Sequence, residues 1–128
     1  MAVSPGNTTV RAQRAVVIPV TDGSGDATYY TTYLTGYIAE IQYVKTDYAA
    51  GVDFTITIES TGKSIWTEAN IDASTYRSPR CAVHDSVGTV ITGGYSPVLL
   101  INDRVKVVIA NGGIAKTGTF YVNLSPAE

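Results

Sequence analysis

The sequence predicts an all-β protein: a single antiparallel β-sandwich, jelly-roll or Greek-key in type, with about eight or nine short strands. Three observations lead there. Val, Ile, Thr and the aromatic residues make up more than two fifths of the 128 residues, whereas Leu and Met are scarce. Side chains that are stiff at the β-carbon, and flat rings, suit a pleated sheet better than a helix. The stretch 52–60, VDFTITIES, alternates without a slip: Val52, Phe54, Ile56 and Ile58 face a core, and Asp53, Thr55, Thr57 and Glu59 face water. Turn residues then recur roughly every 8–12 positions along the chain, the spacing of a sandwich or barrel.

Residues 1–9, MAVSPGNTT, carry no core pattern. They read as an extended N-terminal arm, with Val3, Pro5 and the adjoining Val10 as its apolar contact points, and residues 10–128 as the sandwich domain. The run 10–20, VRAQRAVVIPV, is strand-like and must end or lie at an edge at Pro19, which has no N–H to donate. Asp22-Gly23-Ser24-Gly25-Asp26 is a turn cluster. Residues 27–34, ATYYTTYL, resume strand composition until Gly36 interrupts. In 37–45, alternation puts Tyr37, Ala39, Ile41 and Tyr43 on one face and Ile38, Glu40 and Gln42 on the other. After a loop at 46–51, residues 52–68 form a hairpin turning at Thr61-Gly62-Lys63, with Trp66 as a core anchor.

Residues 69–79 read as irregular, and Pro79 bars a helix there. Short strands at 80–84 and 89–92 flank the turn Asp85-Ser86-Val87-Gly88, and 93–97, GGYSP, reads as a loop. The apolar run 98–101, VLLI, is either buried on both faces or docked on a partner. Strands at 104–110 and 117–124 then pair across Asn111-Gly112-Gly113. The expected buried set is Phe54, Ile56, Ile58, Val105, Val107, Ile109, Phe120 and Val122, with Val108 and Tyr121 on the opposite face. No helix longer than two turns is expected.

Charge and cysteine content narrow the function. Nine basic against eleven acidic residues give a net charge of −2, with no basic excess to neutralise phosphates, so nucleic acid is not an expected partner. No apolar run approaches the ~20 residues of a membrane span, and no signal-peptide core opens the chain, so no membrane is expected either. One cysteine, Cys81, allows no internal disulfide and reads as a small buried apolar residue.

The candidate chemical motifs are weak. Asp22, Ser24 and Asp26 have the 1, 3, 5 spacing of a calcium loop, but Ala27 and Tyr33 stand where its glycine and bidentate glutamate belong, which leaves a turn. His84-Asp85-Ser86 has the residue types of a hydrolase triad, but strand neighbours point to opposite faces. The same geometry separates Cys81 from His84 as metal ligands. Glu40, Glu59 and Glu68 could serve as a glycosidase pair, yet the alternation makes them a solvated sheet face. No catalytic residue, metal or cofactor is expected, and the protein is read as a non-enzyme.

Nine tyrosines are too many to bury without hydroxyl partners. Tyr29, Tyr30 and Tyr33 form the densest group, and with Tyr95 they are the expected interface residues.

The stretch Val52–Glu68, then Pro79-Arg80 with Val83-His84-Asp85, then Asp103–Val122, DRVKVVIANGGIAKTGTFYV, resembles small β-sandwich virion structural proteins of tailed bacteriophages. The resemblance spans roughly residues 36–124 and is one of pattern and turn placement. It implies a capsid decoration (cement) protein on the virion, made in the bacterial host cytoplasm. Its partners would be the major capsid protein or neighbouring virion subunits, and it would form a homo-oligomer, foremost a trimer. A head–tail connector or tail protein is the nearest alternative. A carbohydrate-binding module, with a flat row of exposed aromatics, is the other.

Overall fold

The computed structural model describes residues 13–126. It contains ten strands and, among those residues, no helix: β1 (Gln13–Val17), β2 (Ala27–Tyr30), β3 (Leu34–Lys45), β4 (Asp53–Ile58), β5 (Ser64–Glu68), β6 (Thr75–Arg77), β7 (Arg80–His84), β8 (Val90–Asp103), β9 (Val105–Ala110) and β10 (Gly118–Ser125). They form two antiparallel sheets. The larger has the order β1-β10-β3-β8-β7, with β6 also paired to β3; the smaller has the order β2-β9-β4-β5. The sandwich expectation holds, as does the expected buried set, every member of which is at most 6% exposed.

The core lies between the sheets and is centred on aromatic rings. Phe54 meets Tyr43 edge-on at 4.8 Å and Phe120 edge-on at 4.8 Å, and Trp66 abuts Phe54 at 5.4 Å. These contacts join β3, β4, β5 and β10, elements far apart in sequence. Offset and edge-on ring pairs add ~1 kcal/mol each to the transfer free energy of burial. Trp66 therefore anchors the core as expected.

Several local expectations are corrected. The strands on either side of Asn111-Gly112-Gly113 do not pair as a hairpin: β9 lies between β2 and β4 in the smaller sheet and β10 between β1 and β3 in the larger, so the segment between them crosses from one sheet to the other. Alternation put Ile38 on the face opposite Ile41 and Tyr43, yet all three are fully buried. The cause is an extra residue: Glu40 pairs with Asn123 while Ile38 pairs with the next residue, Leu124, so Ala39 has no partner. This bulge turns the strand by one residue and brings Ile38 inward. Gly36 does not end the strand. It sits inside β3 at a second register break, with φ +145°, a conformation in which a side chain would be strained.

Residues 75–77 form a strand within the segment read as irregular. The segment 93–97, read as a loop, lies inside β8. Ala82 pairs with Tyr95 and His84 with Val90, so Ile91–Gly94 stand against Val83 alone. Gly93, at φ +78°, absorbs this excess within the strand. The run 98–101 is not buried on both faces: Val98 and Leu100 are buried, while Leu99 and Ile101 face out. Among the described residues the first strand covers Gln13–Val17, and Pro19 follows it. Cys81 is half-buried, not buried, because it lies on the edge strand β7.

Candidate functional site

Two of the expected tyrosines, Tyr30 and Tyr33, come together at one end of the smaller sheet, whereas Tyr29, paired with the buried Val107, lies on the opposite face of β2 from Tyr30, which pairs with Lys106. Among the described residues β2 pairs with β9 alone, at the edge of the sheet, and Tyr29 and Tyr30 are both accessible. The chain then turns at Thr31, which is buried and serves as a clamp. Its N–H donates to the Val105 carbonyl at 3.0 Å, and its Oγ1 accepts from the Val105 N–H at 3.0 Å. That clamp sets the exit direction and leaves Tyr33, 61% exposed, beside Tyr30.

Arg104, just before β9, fills the space between these rings. Its guanidinium lies 4.2 Å from the Tyr30 ring centre and 5.3 Å from that of Tyr33. Glu59 holds it from the other side, accepting from Nε at 2.5 Å and from Nη2 at 2.8 Å. The Arg104 hydrogen bonds hold the Glu59 carboxyl below its usual range. The neighbouring Asp103 accepts from the Ser60 hydroxyl and from the Arg104 N–H, and its carboxyl is lowered chiefly by Ser60. The result is a neutralised ion pair flanked by two accessible aromatic faces. Tyrosine and arginine in such an arrangement are the residue types that dominate protein interfaces.

Tyr95 does not join this group. It lies on β8 in the other sheet, 68% exposed and paired with Ala82. Val3, Pro5 and Val10 lie outside the described residues. Tyr76 and Val87 are exposed apolar residues that the sequence did not single out, and Leu99 and Ile101 are the exposed half of the run 98–101. The alternation of 98–101 would have placed Leu99 and Ile101 outward had 93–97 been recognised as strand.

The weak chemical motifs have structural uses. Asp22 Oδ1 accepts from the Ser24 and Asp26 N–H groups at 2.8 and 3.1 Å, which makes the loop an Asx turn and lowers the carboxyl pKa. Asp85 accepts from the Val87 and Thr89 N–H groups in the same way. Cys81 Sγ lies 3.6 Å from the Ser96 hydroxyl, a contact that lowers the thiol pKa. Glu68 accepts from Trp66 Nε1 at 2.9 Å and binds Arg77 through both oxygens. It borders a shallow cleft of about 310 Å³ with Asn70, Asp72 and Ser74. Among the described residues, no three His, Cys, Asp or Glu side chains are grouped closely enough to hold a metal ion.

No protein-family model matches the chain, and no curated protein matches it.

Proposed function

We propose that this protein is a non-enzymatic structural component of a bacteriophage virion, a capsid decoration (cement) protein that binds the assembled head. The observation that supports this reading best is the accessible Tyr30–Arg104–Tyr33 patch, an anchor for a protein surface. It stands beside the pattern resemblance to phage virion proteins across 36–124. Binding to the assembled shell and not to its free subunits stabilises the shell by mass action. The partner is then the major capsid protein, and copies of this chain associate with one another, in threes where the shell offers threefold positions.

The test is decoration of purified heads from the phage whose genome encodes the chain. Saturable, stoichiometric binding to the head surface is expected, together with a higher disruption temperature of the particle. Tyr33→Ala, at an exposed position, should weaken binding about tenfold or more while leaving the fold intact. A position at the neck or tail would reassign the protein to a connector or tail role. Failure to bind any virion part, with binding to glycans instead, would replace the reading by that of a carbohydrate-binding module.

A further inference from the structure

β8 does two jobs along its length. Residues Val98–Leu100 pair with β3, whereas the Val90–Pro97 half pairs only with β7. The place beside β3 that β8 vacates is taken by β6, which pairs at Ile41–Tyr43. Residues 80–97 thus form a two-stranded ribbon beyond the main sheet. Such a ribbon is marginal alone in water and gains from being covered.

The outward side of this region is apolar. Tyr95, Leu99 and Ile101 are 68%, 39% and 69% exposed and share a side of β8 with Pro97, while Val98 and Leu100 between them are buried. At the ribbon's turn, Val87, Val90 and Ile91 are also exposed. Between Ala82 and Ile101, only His84 and Asp85 can carry a charge near neutral pH, and the Asp85 carboxylate is occupied by two backbone N–H groups. Arg80, paired with Pro97, turns its Nη1 to the Pro79 carbonyl at 2.8 Å.

We propose that this outer face of β8 and its ribbon is the surface through which one copy of the chain associates with another. Depletion of charge with retention of tyrosine and branched aliphatics is the composition of an interface centre. On this side Val90, Tyr95, Leu99 and Ile101 present on the order of 400 Å² of apolar surface, about half of the ~800 Å² per partner in a standard interface, while Ile91 lies on the opposite side of the ribbon with Val83. Apart from Arg80 at its edge, across from Pro97, the patch carries almost no charge, so like-charge repulsion between two copies is small, and a net charge of −2 adds little. A row of alternate side chains on a strand packs face to face on its like at ~10 Å between sheets. The inference deepens the proposed self-association and does not depend on where in a virion the assembly sits.

Sedimentation equilibrium of the full chain, from about 1 to 300 µM, tests it. Concentration-dependent association to two or three copies is expected. Ile101→Asp and Leu99→Asp, each placing a charge on the patch, should weaken association at least a hundredfold, or about 2.7 kcal/mol. Both positions face out, so circular dichroism and thermal unfolding should show the fold retained. A monomer throughout the range, or an oligomer indifferent to both aspartates, would overturn the proposal. A monomer that still decorates heads would overturn this surface alone and leave the decoration reading standing.

Discussion

Removing one hydroxyl from the core should stabilise the protein, and removing its neighbour's should destabilise it. Tyr43 and Tyr48 are both buried, and their rings stack 6.1 Å apart. The Tyr48 hydroxyl donates to the Pro19 carbonyl at 2.6 Å, whereas the Tyr43 hydroxyl has no hydrogen-bond partner among the described residues. A buried hydroxyl without a partner costs roughly 1–3 kcal/mol. Tyr43→Phe keeps the ring contacts with Phe54 and Phe120 and removes that cost. We expect it to raise stability by ~1–2 kcal/mol and Tm by about 3–8 °C. Tyr48→Phe leaves the Pro19 carbonyl bare and should lower stability by ~1–3 kcal/mol. Calorimetry and urea unfolding of both variants near neutral pH measure the contrast.

An alkaline arm adds a second readout. Burial pushes the Tyr43 hydroxyl from 10.0 up to about 12. The unfolded chain therefore ionises this tyrosine first. Its contribution is intact below about pH 10 and is lost as pH rises from there toward the folded value. The advantage of Tyr43→Phe over the parent should widen between about pH 10 and 12. A Tyr43→Phe protein destabilised as much as Tyr48→Phe would refute the reasoning, since it would mean that the hydroxyl does bond in solution.

Four further outcomes follow from other positions. A methyl group at position 36 would lie 2.6 Å from the Ser125 carbonyl oxygen, at a φ of +145°, so Gly36→Ala should cost ~3 kcal/mol or more. Gly62→Ala, at φ +74° with open space around it, should cost only ~1 kcal/mol, and urea midpoints compare the two. Ile56→Ala, at a position with no exposure, should cost ~2–5 kcal/mol in the same assay. The Glu68 carboxyl is held low chiefly by Arg77, so its stabilisation is present above its unfolded value of 4.5 and fades as pH falls below it. Glu68→Gln should flatten that acid limb, by a small amount because the pair is more than a third exposed.

The strands with one dry and one wet face were legible because burial and alternation share a period. Residues 53–58, 105–110 and 118–125 keep that period unbroken, and eight of their buried residues are those expected, while Gly118 and Leu124 continue the same period in β10 beyond the expected set. Legibility fails where a strand gains a residue. Ala39 shifts the phase of β3, and Ile91–Gly94 accumulate against a single partner residue in β8. Both are properties of pairing between strands, which one strand's own sequence does not encode. The glycines at 93 and 94 carry the composition of a turn and serve as a bulge. At the candidate site, the tyrosine cluster was visible as density in the sequence. Arg104 was not, because 74 residues separate it from Tyr30 and only the β2–β9 pairing brings them together.

The position of β10 has a consequence for how the chain acquires its structure. β10 lies between β1 and β3, pairing Gln13 with Leu124 on one side and Lys45 with Gly118 on the other. It also places Phe120, Val122 and Leu124 in the core. Until synthesis passes residue 125, β1 has no neighbour in the sheet and one long edge of β3 is bare. The early strands must therefore wait, unpaired, for a late one, and each long-range pairing carries a loop-closure cost before it yields any contact. Folding should then be a single late, slow event, and the interval before it is when the chain's apolar strands are open to mispairing with other chains.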